Sequence, residues 1–336
     1  MKKINYSFLE LTLVYDNDSA SKTIERTRIN AQYIDKLGYK RIWFTEHHNT
    51  NRFASSATSI LISYISQVTN SIRVGSGGIM LPNHVPLVIA EQFGTLESIN
   101  PGRIDLGLGR SFGTDRDTAL LLRRNNLNTY HDFKNDVMTL MKYFNNDTLR
   151  PVVDAFPGRG LNIPIWILGC GTESAELAAS LGLPYAYGAH LTFEKLNEAA
   201  AIYFKNFKPS ESLKKPYFMV SINVIIADNN DEAKFLSNSL FNMMAGTLSG
   251  RKVPFTSPTI KPLYEGDDNI KQALSSTISS CFIGDVATVT KKINDLINNF
   301  MPHEIMVTNY IYDDKKRLKA FDLISNVFKN INKLRK

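Results

Sequence analysis

The chain has 336 residues, of which 43% are apolar, and a formal net charge of +7 at pH 7. This length and composition allow a large buried core, so we expect a single domain over residues 1–336. Because the basic residues are interleaved with 32 acidic ones and form a compact run only at residues 329–336, the charge predicts no nucleic-acid partner.

The predicted elements alternate between strand and helix along the whole chain. Strand-like segments lie at residues 6–13, 41–45, 72–79, 104–108, 165–168, 185–187, 217–227 and 304–310. Helix-like stretches lie between them, including residues 20–37, 55–69, 86–99 and 173–181, with stop signals at Gly38, Pro101-Gly102 and Gly182. Eight such units in order favour an α/β fold, a closed (β/α)₈ TIM barrel, over an open sheet.

Two regions are too long to be ordinary connections in such a barrel. Residues 111–162 follow the fourth predicted strand, and residues 250–280 follow the seventh. Loops of this length in a compact domain are usually functional or disordered. We therefore predict insertions after strands 4 and 7.

The N-terminus and the cysteines indicate where the protein resides. Glu10, Asp16 and Asp18 interrupt the first apolar run before a signal-peptide core forms, and no segment approaches the roughly 18 apolar residues of a membrane helix. Cys170 and Cys281 lie far apart and outside any CxxC pair, which predicts neither a disulfide framework nor a thiolate zinc site. We expect a cytoplasmic protein with no membrane partner.

The second predicted strand ends in Glu46-His47-His48. Adjacent strand residues point to opposite faces, so His47 and His48 reach one ligand together only if the backbone turns between them. HxH and HExxH spacings are absent, and we predict no metal site. One histidine with one carboxylate suits proton transfer or hydrogen bonding to a polar ring, which makes His47 and Glu46 candidate catalytic residues. The alternative is a histidine that caps the helix beginning at Ser55.

Glycines and an arginine follow the third and fourth strands. Gly77 and Gly78 weaken a strand, and either the close approach of a flat ligand or a bend at the barrel rim explains them. The segment Gly107-Leu108-Gly109-Arg110 lacks the GxGxxG spacing of a dinucleotide fold. Arg110 suits bidentate phosphate binding, and the alternative is a salt bridge at the rim.

The fifth unit predicts an anion cradle. In Gly169-Cys170-Gly171-Thr172-Glu173-Ser174, a strand passes through a glycine turn into a helix, which leaves backbone N–H groups and two hydroxyls at the helix N-terminus. The segment imitates GxGxxG with Ser174 in the third glycine position. The acidic residue expected about twenty positions later is absent, so we favour the barrel over a Rossmann fold. Cys170 is either a reactive thiol or a small packing residue.

Taken together, these motifs resemble those of the bacterial luciferase-like flavin-dependent monooxygenases, in their single-chain branch. The similar segments are Glu46-His47-His48-Asn49, residues 73–84, 91–97, 101–110 and 164–184, and Tyr310-Ile311-Tyr312-Asp313. They extend over nearly the whole chain. The resemblance implies a (β/α)₈ barrel, in agreement with the strand count.

The resemblance also implies a cofactor, reduced FMN, at the strand ends. Its ring is expected near Gly77 and Gly78, where family members often hold a non-prolyl cis peptide. Its phosphate is expected on Arg110, Gly171, Thr172 and Ser174, with Gly169 and Cys170 in the same cofactor-binding segment. His47 matches the histidine that assists chemistry at the ring. The implied reaction uses dioxygen to insert one oxygen atom into an organic substrate.

The same resemblance implies partners and moving parts. A separate NAD(P)H:flavin reductase supplies the reduced FMN, and the two insertions are candidates for lids that exclude water. The family also implies a homodimer, for which residues 54–57, Ala90 and Gly94 would permit close helix packing. Gly109 stands where luciferase proper has a reactive cysteine, so light emission is not implied.

The substrate side departs from the family pattern at residues 8–11 and at Ser111-Phe112. The candidate lining residues suggest a small apolar substrate, although core packing explains them about as well; they are Phe8, Met80, Phe112, Tyr187 and Phe282. Two alternatives to the monooxygenase remain. One is hydride transfer with a 5-deazaflavin in the same site, and the other is a flavin-binding protein without turnover, against which Glu46 and His47 speak.

Overall fold

The computed structural model describes residues 3–122, 132–146, 153–251 and 253–335. The strands are β1 Asn5–Glu10, β2 Arg41–Phe44, β3 Arg73–Ser76, β4 Ile79–Met80, β5 Ile104–Gly109, β6 Ile165–Gly169, β7 Tyr185–Tyr187, β8 Phe218–Ile226, β9 Phe282–Gly284 and β10 Glu304–Thr308. The α-helices are α1 Ala20–Leu37, α2 Thr58–Gln67, α3 Pro86–Ile99, α4 Arg116–Leu122, α5 Phe133–Phe144, α6 Thr172–Leu181, α7 Leu196–Asn206, α8 Asn230–Leu248, α9 Asp268–Ser280, α10 Val286–Phe300 and α11 Asp314–Leu334. Leu81–Asn83 form a short 3₁₀ helix.

Eight of the described strands form a closed parallel barrel in the order β1-β2-β3-β5-β6-β7-β8-β10. β10 pairs with β8 on one side and with β1 on the other, which closes the sheet. The predicted (β/α)₈ barrel is therefore confirmed, and each predicted strand segment overlaps a barrel strand. Two short strands were not predicted as separate elements: β4 pairs with β5, and β9 pairs with the end of β8.

The helices begin and end at signals that the sequence carries. The Ser19 hydroxyl accepts a hydrogen bond from the Lys22 N–H at the start of α1, and Gly38 ends that helix in the left-handed conformation. Gly182 ends α6 in the same way. The helices predicted at residues 20–37 and 86–99 match α1 and α3 at both ends. Each helix returns the chain to the barrel, so the carboxyl ends of the strands share one face.

Layers of side chains fill the barrel. At the amino ends of the strands, the Arg41 guanidinium lies 2.6 Å from Asp105 and 2.7 Å from Glu304. Burial raises the pKa of these two carboxyls, but the charge of Arg41, together with a second cation and hydrogen bonds at each carboxyl, outweighs burial and holds both pKa values below the ordinary range. The next layer is an apolar cluster of Leu9, Trp43, Trp166, Ala186, Met219 and Met306. This cluster fills the barrel beneath its carboxyl end.

The two predicted insertions contain helices. α4 and α5 lie within residues 111–162 and α9 lies within residues 250–280, while residues 123–131, 147–152 and 252 are outside the described part of the chain. α5 buries Phe133, Val137 and Leu140 in the core, as a helix of the outer ring does between two barrel strands. A lid role for either region remains a prediction. No described helix is long and apolar enough to cross a membrane.

Candidate active site

A cavity of about 580 Å³ lies at the carboxyl ends of the barrel strands. Its volume falls within the range of about 300–1,000 Å³ that is usual for small-molecule sites. Nine of the ten residues predicted for the site line this one cavity: His47, Gly77, Gly78, Arg110, Gly169, Cys170, Gly171, Thr172 and Ser174. Glu46 is the exception, since it does not line the cavity.

The floor of the cavity is apolar. Leu9, Trp43, Leu168, Ala186, Met219 and Met306 line it, and all belong to the barrel-filling cluster or pack against it. Of the five side chains expected on the substrate side, only Met80 lines the cavity, and the expectation for the other four was wrong. Phe8 faces the outer helices, where its ring packs edge-on against Phe321 at 4.9 Å. Alternate strand residues face opposite sides, so Leu9 takes the inward position.

The anion cradle is built by the first turn of α6. Gly171 precedes the helix with an extended backbone, and no side chain caps the N–H groups that follow. A Cβ atom on Gly169 would overlap the Ser174 hydroxyl and lie 2.6 Å from Ser174 Cβ, so glycine is needed for this close approach. Free N–H groups, the Ser174 hydroxyl and a nearby guanidinium are the donors that a phosphate requires.

Arg110 is the guanidinium beside this turn. Its Nη2 lies 2.5 Å from Oε2 of Glu173, and both side chains are more than half exposed. Glu173 belongs to the first turn of α6 and also lines the cavity. Arg110 therefore forms the salt bridge that was the alternative interpretation, and it does so within the predicted phosphate site.

The Gly77-Gly78 peptide bond is cis, as the family resemblance implies. A Cβ atom on Gly77 would lie 2.6 Å from Leu9 Cδ1, and one on Gly78 would lie 2.8 Å from the Gly107 carbonyl oxygen. Contacts shorter than about 3 Å require some atom to move. Close packing within the protein therefore already requires glycine at positions 77 and 78, independently of any ligand.

His47 is held on one side by a hydroxyl and a ring. Its Nδ1 lies 3.1 Å from Thr45 Oγ1, and its imidazole stacks on Phe53 with ring centroids 4.2 Å apart. Burial lowers the pKa of the His47 imidazole to about 4, so the ring is neutral at pH 7. No described residue hydrogen-bonds to Nε2. This nitrogen is the atom of His47 left to contact a ligand.

Glu46 belongs to a buried network outside the cavity. Its carboxylate accepts hydrogen bonds from His84 Nε2 at 2.8 Å, His48 Nε2 at 2.9 Å and the Met80 N–H at 3.1 Å. Burial raises the pKa of Glu46, but the hydrogen bonds from His48 and His84 outweigh it and hold the pKa at about 2. The carboxylate therefore ties the end of β2 to β4 and the 3₁₀ helix.

Further polar side chains in the cavity that were not predicted as site residues include His190, Lys195, Ser221 and Tyr310. His190 follows β7, and its Nδ1 lies 2.7 Å from Ser221 Oγ on β8. Tyr310 follows β10, and burial raises the pKa of its hydroxyl well above the ordinary value. For Tyr310 the available signal was the family-like segment Tyr310-Ile311-Tyr312-Asp313, whereas His190 belongs to no recognisable motif and its only signal was its place after a barrel strand. Among the described residues, no group of three or more His, Cys, Asp or Glu could hold a metal ion.

Comparison with known sequences finds relatives over the full length of the chain. A family model described as luciferase-like monooxygenase matches residues 9–299. A luciferase-like monooxygenase of Escherichia coli (strain K12) is 40% identical over 326 residues, which are 97% of this chain and 97% of that protein. The uncharacterised protein YddN of Bacillus subtilis (strain 168) is 38% identical over 335 residues, which are 100% of this chain and 99% of that protein.

Solved structures share the barrel. Apo-MsnO8 is 26% identical with a TM-score of 0.87, and the match covers 97% of this chain and 98% of that one. The oxygenating constituent of 3,6-diketocamphane monooxygenase from Pseudomonas putida, in complex with FMN, is 18% identical with a TM-score of 0.72 at the same coverage. An F420-dependent secondary alcohol dehydrogenase is 14% identical with a TM-score of 0.66, again at 97% and 98% coverage. The last two likenesses show a shared fold.

Proposed function

The chain belongs to the luciferase-like monooxygenase family, and on this premise we propose that it uses reduced FMN and dioxygen to oxidise a small apolar organic substrate. One observation carries the proposal. A single cavity joins an uncapped helix N-terminus with an arginine beside it, a neutral histidine with a free Nε2, and an apolar floor. The first feature suits a phosphate, the second a polar ring, and the third an apolar substrate.

The residues of the cavity fit FMN. Arg110 and the first turn of α6, with Gly171, Thr172 and Ser174, would hold the phosphate. Gly77 and Gly78 would lie beside the ring, and Gly169 and Cys170 would complete the cofactor-binding wall. When bound, reduced FMN supplies the two electrons by which one oxygen atom of dioxygen enters the substrate and the other leaves as water.

The protein's own side chains would bind the cofactor, orient the reacting groups and exclude water. His47 is the proposed catalytic residue, because its neutral Nε2 can accept or return a proton at the ring. The apolar floor excludes water from the reacting groups. We assign Glu46 a positioning role in place of the catalytic one expected from the sequence, because its carboxylate is fully engaged by His48, His84 and the Met80 N–H outside the cavity.

The proposal includes a reductase partner. The glycine-rich segment that imitates a dinucleotide fingerprint is part of the barrel cradle and opens α6, and β6 pairs with β5 and β7 in the closed sheet. It is not a Rossmann unit. We therefore infer that a separate NAD(P)H:flavin reductase supplies the reduced FMN.

The proposal also includes a homodimer through α2 and α3. Ile60 on α2 is 69% exposed, and Val85 and Val88 at the start of α3 are 63% and 42% exposed. Exposed apolar side chains on neighbouring helices favour a protein partner. The packing role suggested for Gly94 was wrong, because Gly94 is buried against Gly158 of the same chain, where a Cβ atom would overlap Gly158 Cα; the role suggested for residues 54–57 stays a prediction. Sedimentation velocity at micromolar concentration tests the dimer, and a monomer there contradicts it.

The monooxygenase is tested by following the oxygen atom. The purified protein is incubated with FMN, NADH and a flavin reductase under ¹⁸O₂ with small thioethers, ketones and aldehydes as substrates. The proposal predicts a product that contains one ¹⁸O atom and depends on FMN. Products without ¹⁸O, or turnover that needs a deazaflavin in place of FMN, contradict it. The latter result supports the alternative of hydride transfer, and flavin binding with no product from any substrate supports a flavin-binding protein.

A further inference from the structure

His190 is a second imidazole in the cavity and is held at both its backbone and its ring. The Asn223 side chain donates a hydrogen bond to the His190 carbonyl oxygen at 2.9 Å, and Nδ1 lies 2.7 Å from Ser221 Oγ. Both partners are on β8, the strand next to β7 in the barrel. The ring orientation is therefore fixed by a rigid element.

The partners of Ser221 decide which ring nitrogen of His190 carries the proton. The Ser221 hydroxyl donates its single proton to the Tyr187 carbonyl oxygen at 3.1 Å, and a carbonyl can only accept. Both contacts can be hydrogen bonds only if Ser221 Oγ accepts from Nδ1, and this arrangement, in which Nδ1 is protonated, is the one on which the proposal below rests. Burial lowers the pKa of His190 to about 4, so the ring is neutral at pH 7 and carries one proton. Nε2 is left with a lone pair.

The same reasoning assigns the proton on His47. The Ser55 hydroxyl donates to the Leu11 carbonyl oxygen at 3.3 Å, so at its contact of 3.3 Å with Thr45 Oγ1 it accepts. Thr45 has thereby used its proton and accepts from His47 Nδ1 at 3.1 Å. When all three contacts are made as hydrogen bonds, His47 is also protonated at Nδ1 and has a lone pair at Nε2.

The two histidines bound to Glu46 have the opposite arrangement. A carboxylate only accepts, so His48 and His84 donate to Glu46 through protonated Nε2 atoms. Hydrogen-bond partners thus favour a proton on Nε2 in His48 and His84 and a proton on Nδ1 in His47 and His190. Only the two imidazoles that line the cavity have an unprotonated Nε2 among these four.

We propose that His190 determines substrate specificity by accepting, through Nε2, a hydrogen bond from an O–H or N–H group on an otherwise apolar substrate. The inference rests on the proposed function, in which His47 acts at the cofactor ring and His190 is available to contact the substrate. The floor of the cavity offers apolar side chains, including Leu9, Met219 and Met306. A ligand without a donor leaves the lone pair of His190 without a partner in this setting, which weakens binding.

The binding test compares matched ligands of which one has an O–H donor and the other has an ether oxygen in its place. The FMN-loaded protein is titrated calorimetrically with 4-ethylphenol and 4-ethylanisole, and with 1-hexanol and methyl pentyl ether. The wild type is expected to bind the donor of each pair about tenfold more tightly. The His190→Asn variant keeps an amide that can donate to Ser221 but has no atom in the place of Nε2, and it is expected to bind both members of a pair equally. A His303→Asn variant, at the opposite end of the barrel, controls for the loss of an imidazole and is expected to keep the preference.

Three results overturn the inference: a donor preference that survives in His190→Asn, a wild type without preference, or a wild type that binds none of the four probes. A second readout needs only the wild type. Two-bond ¹H–¹⁵N correlation spectra are expected to show His190 protonated at Nδ1, with its ring signals assigned in the wild type through bonds from the His190 backbone, and protonation at Nε2 overturns the inference whether or not His190→Asn folds. The ¹⁸O experiment is separate, so a preference without oxygen insertion defeats the proposed function alone, and oxygen insertion without a preference defeats this inference alone.

Discussion

Glu173 and Arg110 form an ion pair inside the cradle, with Oε2 and Nη2 2.5 Å apart. The guanidinium that suits a phosphate is therefore partly neutralised by a carboxylate from the first turn of α6, and a phosphate must displace that carboxylate or share the arginine with it. Such competition would weaken binding of a phosphate-bearing cofactor, in keeping with the proposed supply of flavin by a separate reductase. It also gives a prediction with a direct measurement.

Glu173→Gln is expected to tighten binding of FMN by about threefold, because it removes a like charge from the phosphate site while keeping the size of the side chain. The effect is small because both side chains are more than half exposed. Quenching of flavin fluorescence measures the dissociation constant. Riboflavin is the control ligand, and its affinity is expected to stay the same because it lacks the phosphate. The companion variant Arg110→Met is expected to weaken FMN about tenfold or more and to leave riboflavin unchanged. Weaker FMN binding by Glu173→Gln contradicts the competition.

Gly169 and Gly171 are a matched pair in the same turn. A Cβ atom on Gly169 would overlap the Ser174 hydroxyl, whereas one on Gly171 meets no atom within 4 Å. Gly169→Ala is expected to displace Ser174, lower the melting temperature and weaken FMN, while Gly171→Ala is expected to fold as the wild type does. Thermal unfolding with and without FMN measures both. Equal effects of the two substitutions would contradict the prediction that the position of Ser174 matters for stability and FMN binding.

Glu46 is expected to contribute to stability in a pH-dependent way. Its pKa falls from the ordinary 4.5 to about 2 in the folded protein, because the hydrogen bonds from His48 and His84 outweigh the effect of burial. A depressed pKa stabilises the fold above the unfolded value, and this stability is lost as the pH falls from about 4.5 towards 2.

Glu46→Gln is therefore expected to lower the free energy of unfolding by about 1–3 kcal/mol at pH 7, because one amide cannot accept all the hydrogen bonds of the carboxylate. Denaturant unfolding curves measure the difference from the wild type, which is expected to shrink as the pH is lowered below 4.5. Glu173→Gln, at an exposed carboxyl, is the control. A difference that is constant with pH argues against the ionised carboxylate as the source of the stability.

Much of the fold and part of the site could be predicted from the sequence. The strand segments and the glycine-rich turns gave the barrel and the cradle, because strand ends in a parallel barrel meet on one face. Which side chain faces the cavity could not be predicted at Phe8 and Leu9, since a shift of one residue exchanges the two faces of a strand. For the same reason, the sequence did not show that the Glu46 side chain lies outside the cavity. His190 escaped notice because its partners, Ser221 and the Tyr187 carbonyl, come together only in the folded barrel.

His47→Asn is expected to separate cofactor binding from chemistry. The asparagine amide can still donate to Thr45, but the variant has no Nε2, so we expect FMN affinity within about twofold of the wild type and a loss of oxygen insertion of about a hundredfold or more. Fluorescence titration and the ¹⁸O assay measure the two quantities on one preparation. His303→Asn, outside the cavity, is expected to change neither. Unchanged oxygen insertion in His47→Asn removes the proposed catalytic role.

The central claim is that this cavity is built for reduced FMN and dioxygen. Its most direct test is an anaerobic titration of the protein with reduced FMN and, in parallel, with reduced deazaflavin F420, followed by admission of air while absorbance is recorded. We predict tight binding of reduced FMN, weak binding of reduced F420, and reoxidation of the bound FMN by air at a rate that differs from that of free FMN. Tighter binding of F420, with no reaction of the bound cofactor with air, contradicts the claim and assigns the cavity to hydride transfer.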